Sequence, residues 1–131
     1  MRTTAPLLLG SYVAGAWRTT DDTYPVASPA TGEELARVGR ATTEDIDQAV
    51  LAAREAFAVT RWSPTAERAA LCHRCAELIE QRQEALAVEL AQEHGKPLAE
   101  ARAEIATGAK GFRLAAEEAK RLDGYVPQTE D

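Results

Sequence analysis

Gly95 and Pro97 stand two residues apart in the run Glu93-His94-Gly95-Lys96-Pro97-Leu98-Ala99-Glu100, and they force the chain to turn there. Glycine takes the left-handed conformation that stops a helix, and proline is accepted at the start of the next one but not inside it. The expected reading is a helix-to-helix turn. The corner carries no nucleophile, general base or phosphate loop. Gly95-Lys96-Pro97 matches a Walker loop only superficially, because Pro97 occupies the place of the Ser or Thr and has no N–H.

The pattern around the corner is helical from Thr42 onward. Thr42 with Asp45 approximates a capping box, and Ile46, Ala49, Val50, Ala53 and Phe57 follow at helical spacing. Ser63 is expected to cap a second helix, with Pro64 at its first position. Its apolar stripe is Leu71, Cys72, Cys75, Leu78 and Ile79. The stripe lapses around Gln81 to Glu84 and resumes at Leu86 and Leu90, which leaves open one kinked helix or two joined ones. The last helix is expected over residues 98–122, with Ala101, Ile105, Ala109, Phe112, Ala116 and Ala119 on one face. Gly108 and Gly111 interrupt it at a cost of about 1 kcal/mol each relative to alanine, so tight packing or a cavity wall is expected there. Gly124 is expected to end it, and an extended tail is expected to follow.

Residues 1–41 hold most of the strand and turn signals. Ala14-Gly15 between Tyr12-Val13 and Ala16-Trp17 reads as a two-residue hairpin turn. Tyr24 to Ala27 reads as an edge strand, because Pro25 cannot donate to a ladder. Pro29-Ala30-Thr31-Gly32 is a turn, and residues 34–40 form a strand with Leu35 and Arg37 on one face and Ala36 and Val38 on the other. The division expected from these patterns is 1–41 as a hairpin and strand segment, 42–124 as a helical part, and 125–131 as an extended tail.

Composition narrows the partners. The 131 residues are 45% hydrophobic, but much of that is alanine and only 5% is aromatic, so the core per residue is thin. A net charge of -6 argues against a nucleic-acid surface. The opening Met1-Arg2-Thr3-Thr4 and Leu7-Leu8-Leu9 fall short of a signal-peptide core, and no run approaches a membrane span. A cytoplasmic protein without a targeting segment is expected.

Cys72-His73-Arg74-Cys75 invites a metal or redox reading. Zinc needs four ligands, and the remaining candidates of the usual type are His73, which points away from the cysteine face, and His94. Both thiols lie mid-stripe rather than at a helix N-terminus, where a thiol pKa is lowered, so they read as core residues. His94 reads as a cation near helix carbonyls rather than a catalytic base. Glu100, Glu104, Glu117 and Glu118 alternate with Arg102, Arg113, Lys120 and Arg121, as a solvated helix face does. Trp62 is expected to pack, and Arg68 to fork onto a carboxylate or carbonyl.

These pieces, in their order and spacing, resemble one family. They run from Tyr12 to Trp17, through Ser28-Pro29-Ala30-Thr31-Gly32-Glu33, Asp47-Gln48-Ala49-Val50 to Phe57, and Trp62 with Thr65 and Arg68. Glu93 to Pro97 and the helix leading to Gly124-Tyr125-Val126-Pro127 complete the set. The whole, over residues 12–127, is similar to the opening region of NAD(P)-dependent aldehyde dehydrogenases. Gly95-Lys96-Pro97-Leu98-Ala99-Glu100-Ala101-Arg102 and Ala116-Glu117-Glu118-Ala119-Lys120-Arg121 look most like the succinate-semialdehyde dehydrogenases. The resemblance implies an α/β family fold of which this chain is an N-terminal fragment, mostly α-helical with a short hairpin and strands. It places residues 42–124 in the helical part of the cofactor-binding domain.

What the resemblance implies for chemistry is a two-step oxidation. A cysteine thiolate attacks the aldehyde, hydride passes to NAD or NADP, and water, helped by a glutamate, releases the acid. It also implies a homo-oligomer acting on a small-molecule aldehyde. The family's nucleophile, base, oxyanion asparagine and dinucleotide glycines are expected beyond Asp131. Cys72 and Cys75 do not match the nucleophile's motif, so no catalytic, cofactor-binding or metal residue is carried onto this sequence. In the family the last helix lines the substrate tunnel, which makes Thr107, Gly111, Leu114 and Ala115 candidate wall residues where relatives often carry aromatics. Ser28 stands in place of the family's usual asparagine. The rival reading is a stand-alone helical interaction module without catalytic activity, its apolar stripes meeting a partner chain.

Overall fold

The structure, a computed structural model, describes residues 7–122 and Gly124. Five strands precede four helices: β1 Leu7–Leu9, β2 Ser11–Val13, β3 Ala16–Arg18, β4 Thr23–Ala27, β5 Glu34–Gly39, then α1 Thr43–Thr60, α2 Thr65–Gln81, α3 Gln83–His94 and α4 Leu98–Ala119.

β2 and β3 form the expected hairpin, with Tyr12 opposite Trp17 and Val13 opposite Ala16. Ala14 and Gly15 both take positive φ, 52° and 84°, which matches the twist of the flanking strands. The rings of Tyr12 and Trp17 lie 5.2 Å apart across the ladder. The other sheet runs β1-β5-β4, so Pro25 sits on an edge strand, as a residue without an N–H should. Leu7–Leu9 was not expected as a strand. It pairs in parallel with β5, Leu7 beside Ala36 and Leu9 beside Val38. A run of three leucines has no alternation to announce it, and its partner is far along the chain.

The turn between β4 and β5 closes as expected. Gly32 at φ 73° donates its N–H to the Ser28 carbonyl at 2.8 Å, and Ser28 donates to the Glu33 carbonyl at 2.9 Å. Ser28 itself is buried, and its Oγ accepts from the Ala30 N–H at 3.3 Å.

Helix ends follow local chemistry, with two corrections. At α1 the capping box is complete: Thr42 Oγ1 accepts from the Asp45 N–H at 3.1 Å, and the Asp45 carboxylate accepts from the Thr42 N–H at 2.9 Å. The expectation that Ser63 caps α2 fails. Pro64 has an extended ψ of 144° and is itself the boundary residue, with Thr65 the first helical one. The Ser63 carbonyl is taken instead by the Arg68 guanidinium at 2.8 Å, which places Arg68 as expected. α2 and α3 are two helices, broken at Arg82 (φ -110°, ψ 12°). α3 stops at Gly95 with φ 67°. The second correction is at the end of α4. It stops at Ala119 rather than near Leu122, because the N–H groups of Lys120 and Arg121 bond to the Glu117 and Glu118 carbonyls in a tightened turn. The expected tail over 125–131 lies outside the described residues.

The core is where the sequence misled most. Among the described residues the buried apolar side chains are Val13 and alanines: Ala36, Ala69, Ala76, Ala87, Ala101, Ala109 and Ala116. α2 and α3 pack on α4 along this alanine seam. The larger side chains of the expected stripes divide: Phe57 is 63% exposed, Leu71 66% and Ile46 56%, while Leu78, Ile79, Leu86, Leu90 and Ile105 are half-buried. α1, an 18-residue helix, buries no residue at all. Trp62 does not pack either. It is exposed, with the Arg61 guanidinium 4.7 Å above its ring. Apolar spacing reports which side chains need a cover; the chain described here supplies that cover in full only to Val13 and the alanines.

Candidate functional site

α4 carries the candidate wall residues. Thr107, Gly111, Leu114 and Ala115 are all exposed, on the side of α4 turned away from the seam of Ala101, Ala109 and Ala116. The Thr107 hydroxyl donates back to the Ala103 carbonyl at 2.9 Å, which ties it to its own helix. Gly108, Gly111, Phe112 and Ala115 line a shallow open depression. A Cβ placed on Gly108 or Gly111 would meet nothing within 4 Å. The expected tight packing at these glycines is therefore absent here; they sit on an uncovered face of α4.

One edge of α4 is tied down by charge. Arg113 donates to both oxygens of Glu80 at 3.1 and 2.6 Å, and Arg102 to both oxygens of Glu84 at 2.8 and 2.6 Å. Lys96 pairs with Glu104, Lys120 with Glu117 and Arg121 with Glu118. Glu104, Glu117 and Glu118 thus belong to ion pairs, and Glu80 and Glu84 to pairs across helices. Hydrogen bonds from Arg113 and Arg102 hold the Glu80 and Glu84 carboxyls below their ordinary range. The Lys96 hydrogen bond does the same to Glu104, with the Lys96 charge and then His94 adding to it. The Lys120 hydrogen bond lowers Glu117, with the Lys120 charge and more weakly His73 and Arg121.

The Cys/His cluster does not assemble. Cys72 and Cys75 are half-buried free thiols, and His73 turns its Nε2 to Glu117 Oε1 at 3.7 Å. Among the described residues no group of three or more His, Cys, Asp or Glu side chains is placed to hold a metal. His94 lies in the last turn of α3.

At the corner, Gly95 is pinned by the β4–β5 turn. A Cβ there would stand 2.8 Å from Pro29 Cγ. Ser28, Ala30, Val88, Gln92 and Lys96 line a cleft of about 320 Å³ beside it. Sequence reasoning placed the turn and the corner separately and missed that they touch; the shared need for glycine and proline was the available signal. Among the described residues no helix is long and apolar enough to cross a membrane.

This arrangement, a hairpin and small sheet followed by an α2–α3–α4 unit, is shared with solved aldehyde dehydrogenases. Residues 17–131 match the aldehyde dehydrogenase family, and the chain belongs to it. It is 41% identical over 121 residues to the 3-sulfolactaldehyde dehydrogenase of Pseudomonas putida, covering 90% of this chain and 25% of that protein. It is 41% identical over 111 residues to malonate-semialdehyde dehydrogenase 1 of Geobacillus kaustophilus, covering 83% and 23%. The crystal structure of succinate-semialdehyde dehydrogenase from Burkholderia pseudomallei superposes with a TM-score of 0.87 at 38% identity, over 95% of this chain and 26% of that one. The chain spans about a quarter of the length of the relatives it matches.

Proposed function

We propose that this chain is the N-terminal portion of a cytoplasmic, homo-oligomeric NAD(P)-dependent aldehyde dehydrogenase. Its substrate is a short aldehyde carrying a second acidic group, such as succinate semialdehyde, which it oxidises to the carboxylic acid. One observation carries the substrate class: relatives near 40% identity are named for 3-sulfolactaldehyde and malonate semialdehyde, short aldehydes with an anion at the far end. In this reading residues 42–124 are the helical part of the cofactor-binding domain. Thr107, Gly111, Leu114 and Ala115 line the substrate tunnel, widened by their small size. Gly111→Leu in an active enzyme carrying this segment raises KM for the acidic aldehyde and leaves kcat nearly unchanged; an unaltered KM removes the wall reading.

The residues present do not fit the dinucleotide. Its phosphates need a glycine-rich turn with free N–H groups between a strand and a helix. Among the described residues the strand-to-helix connection is β5 to α1. There the capping box takes up the N–H groups of Thr42 and Asp45, no glycine stands in the turn, and Glu44 and Asp45 bring negative charge to the first turn. The 131-residue chain alone is therefore expected neither to bind the cofactor nor to oxidise aldehydes. Saturable NADH fluorescence with the purified chain contradicts this.

The second reading, a helical interaction module, is favoured by the bare stripe of α1. Gel filtration separates the two. A discrete folded oligomer supports the module, and a molten or aggregating species supports the enzyme portion.

A further inference from the structure

We propose that Arg102 and Arg113 are positioning residues: by gripping Glu84 and Glu80 on either side of the α2–α3 break, they fix where α4 sits along its neighbours. Through α4 they set the height of the face carrying Thr107, Gly111, Leu114 and Ala115, and the functional consequence rests on the tunnel-wall reading of that face. The buried contacts of α4 give it little register of their own. Ala101, Ala109 and Ala116 meet a seam of Ala69, Ala76 and Ala87, while Ile79, Leu86 and Ile105 are only half-buried. Methyl groups raise shallow ridges, and cores of uniform small side chains lose uniqueness before they lose stability. Charged pairs flanking such a seam fix its register.

The two forks have the geometry for that task. Each guanidinium places two nitrogens on two carboxylate oxygens, the longest of the four contacts being 3.1 Å. A planar fork constrains direction as well as distance, which a lysine cannot do. Arg102 and Arg113 lie on the same edge of α4, about 16 Å apart along its axis at 1.5 Å per residue. Their partners, Glu80 and Glu84, stand only four positions apart in the chain, either side of Arg82. The arginines therefore reach toward the break from opposite ends, and a slide of α4 in either direction must open one fork. Gln83 Nε2 reaches the Arg102 carbonyl at 3.5 Å at the same place.

The test measures register rather than stability. In an enzyme carrying this segment, with its cysteines exchanged for alanine, nitroxide labels go on Leu71→Cys of α2 and Leu114→Cys of α4. Electron–electron resonance is expected to read one narrow distance. Arg102→Lys with Arg113→Lys keeps the charge but loses both forks, and a second distance displaced by about 5 Å, one helical turn, is expected. The thermal midpoint should stay where it was. In the Arg102-intact chain, exchanging the charges by Glu80→Arg with Arg113→Glu keeps a cross-helix pair and should preserve the single distance, whereas Arg113→Glu alone should split it. An unchanged single distance in the double-lysine chain overturns the proposal. So does a broad distribution before any arginine is changed, or loss of folding in the lysine variants, which would make the forks a source of stability instead. None of these outcomes bears on the wall reading, which stands or falls on Gly111→Leu.

Discussion

Single residues in this chain are held by backbone geometry more than by bulk. Ala14 has φ 52° in a turn that favours asparagine or glycine at that position. Left-handed backbone costs alanine about 1 kcal/mol, so Ala14→Asn should raise stability by about that amount in urea unfolding. Gly95 and Gly32 offer a paired test of strain against space. Both have positive φ, but a Cβ at Gly32 meets open solvent while one at Gly95 meets the Pro29 ring. Gly95→Ala should therefore cost more than Gly32→Ala, whose penalty should be about 1 kcal/mol of backbone strain. Thr42→Ala removes one half of the capping box and should destabilise α1 by about 1 kcal/mol, read from the helical signal in denaturant.

Elements are joined by charge where apolar contact is thin. Glu80 and Glu84 carry carboxyls lowered by hydrogen bonds from Arg113 and Arg102. A lowered folded-state pKa means that the unfolded chain takes up the proton first. Their contribution is complete above the ordinary carboxylate range and is lost as pH falls through the lowered folded value. Acid titration of α4 docking should follow that order, and Glu80→Gln should flatten part of the profile. These pairs are solvent-exposed, so added salt should weaken them. The helix boundaries show the same local control. The Thr42 cap and the Gly95 stop were readable because each is a rule about one residue's own backbone. Pro64 was misplaced by one position because ψ, which proline does not fix, decided whether it was the first helical residue or the boundary.

For the molecule as a whole, the open glycines on α4 give the sharpest test. Gly108→Ala and Gly111→Ala fill empty space on a helix, so in an enzyme carrying this segment each should stabilise α4 by about 1 kcal/mol if that face is open. A substantial loss instead would mean that another layer already lies against that face. The amino-acid sequence by itself determined the corner at Gly95 and Pro97, the Ala14-Gly15 hairpin, the edge position of Pro25 and the resemblance to aldehyde dehydrogenases. All of these depend on short-range backbone rules or on the order of motifs along the chain. Only the tertiary structure decided that alanines form the seam, that Ile46, Phe57 and Leu71 stay bare, that Leu7–Leu9 pairs with β5, and that Arg102 and Arg113 cross to other helices. Periodicity states that a face is apolar; which partner covers it depends on contacts between residues far apart in the chain, and those have no local signature.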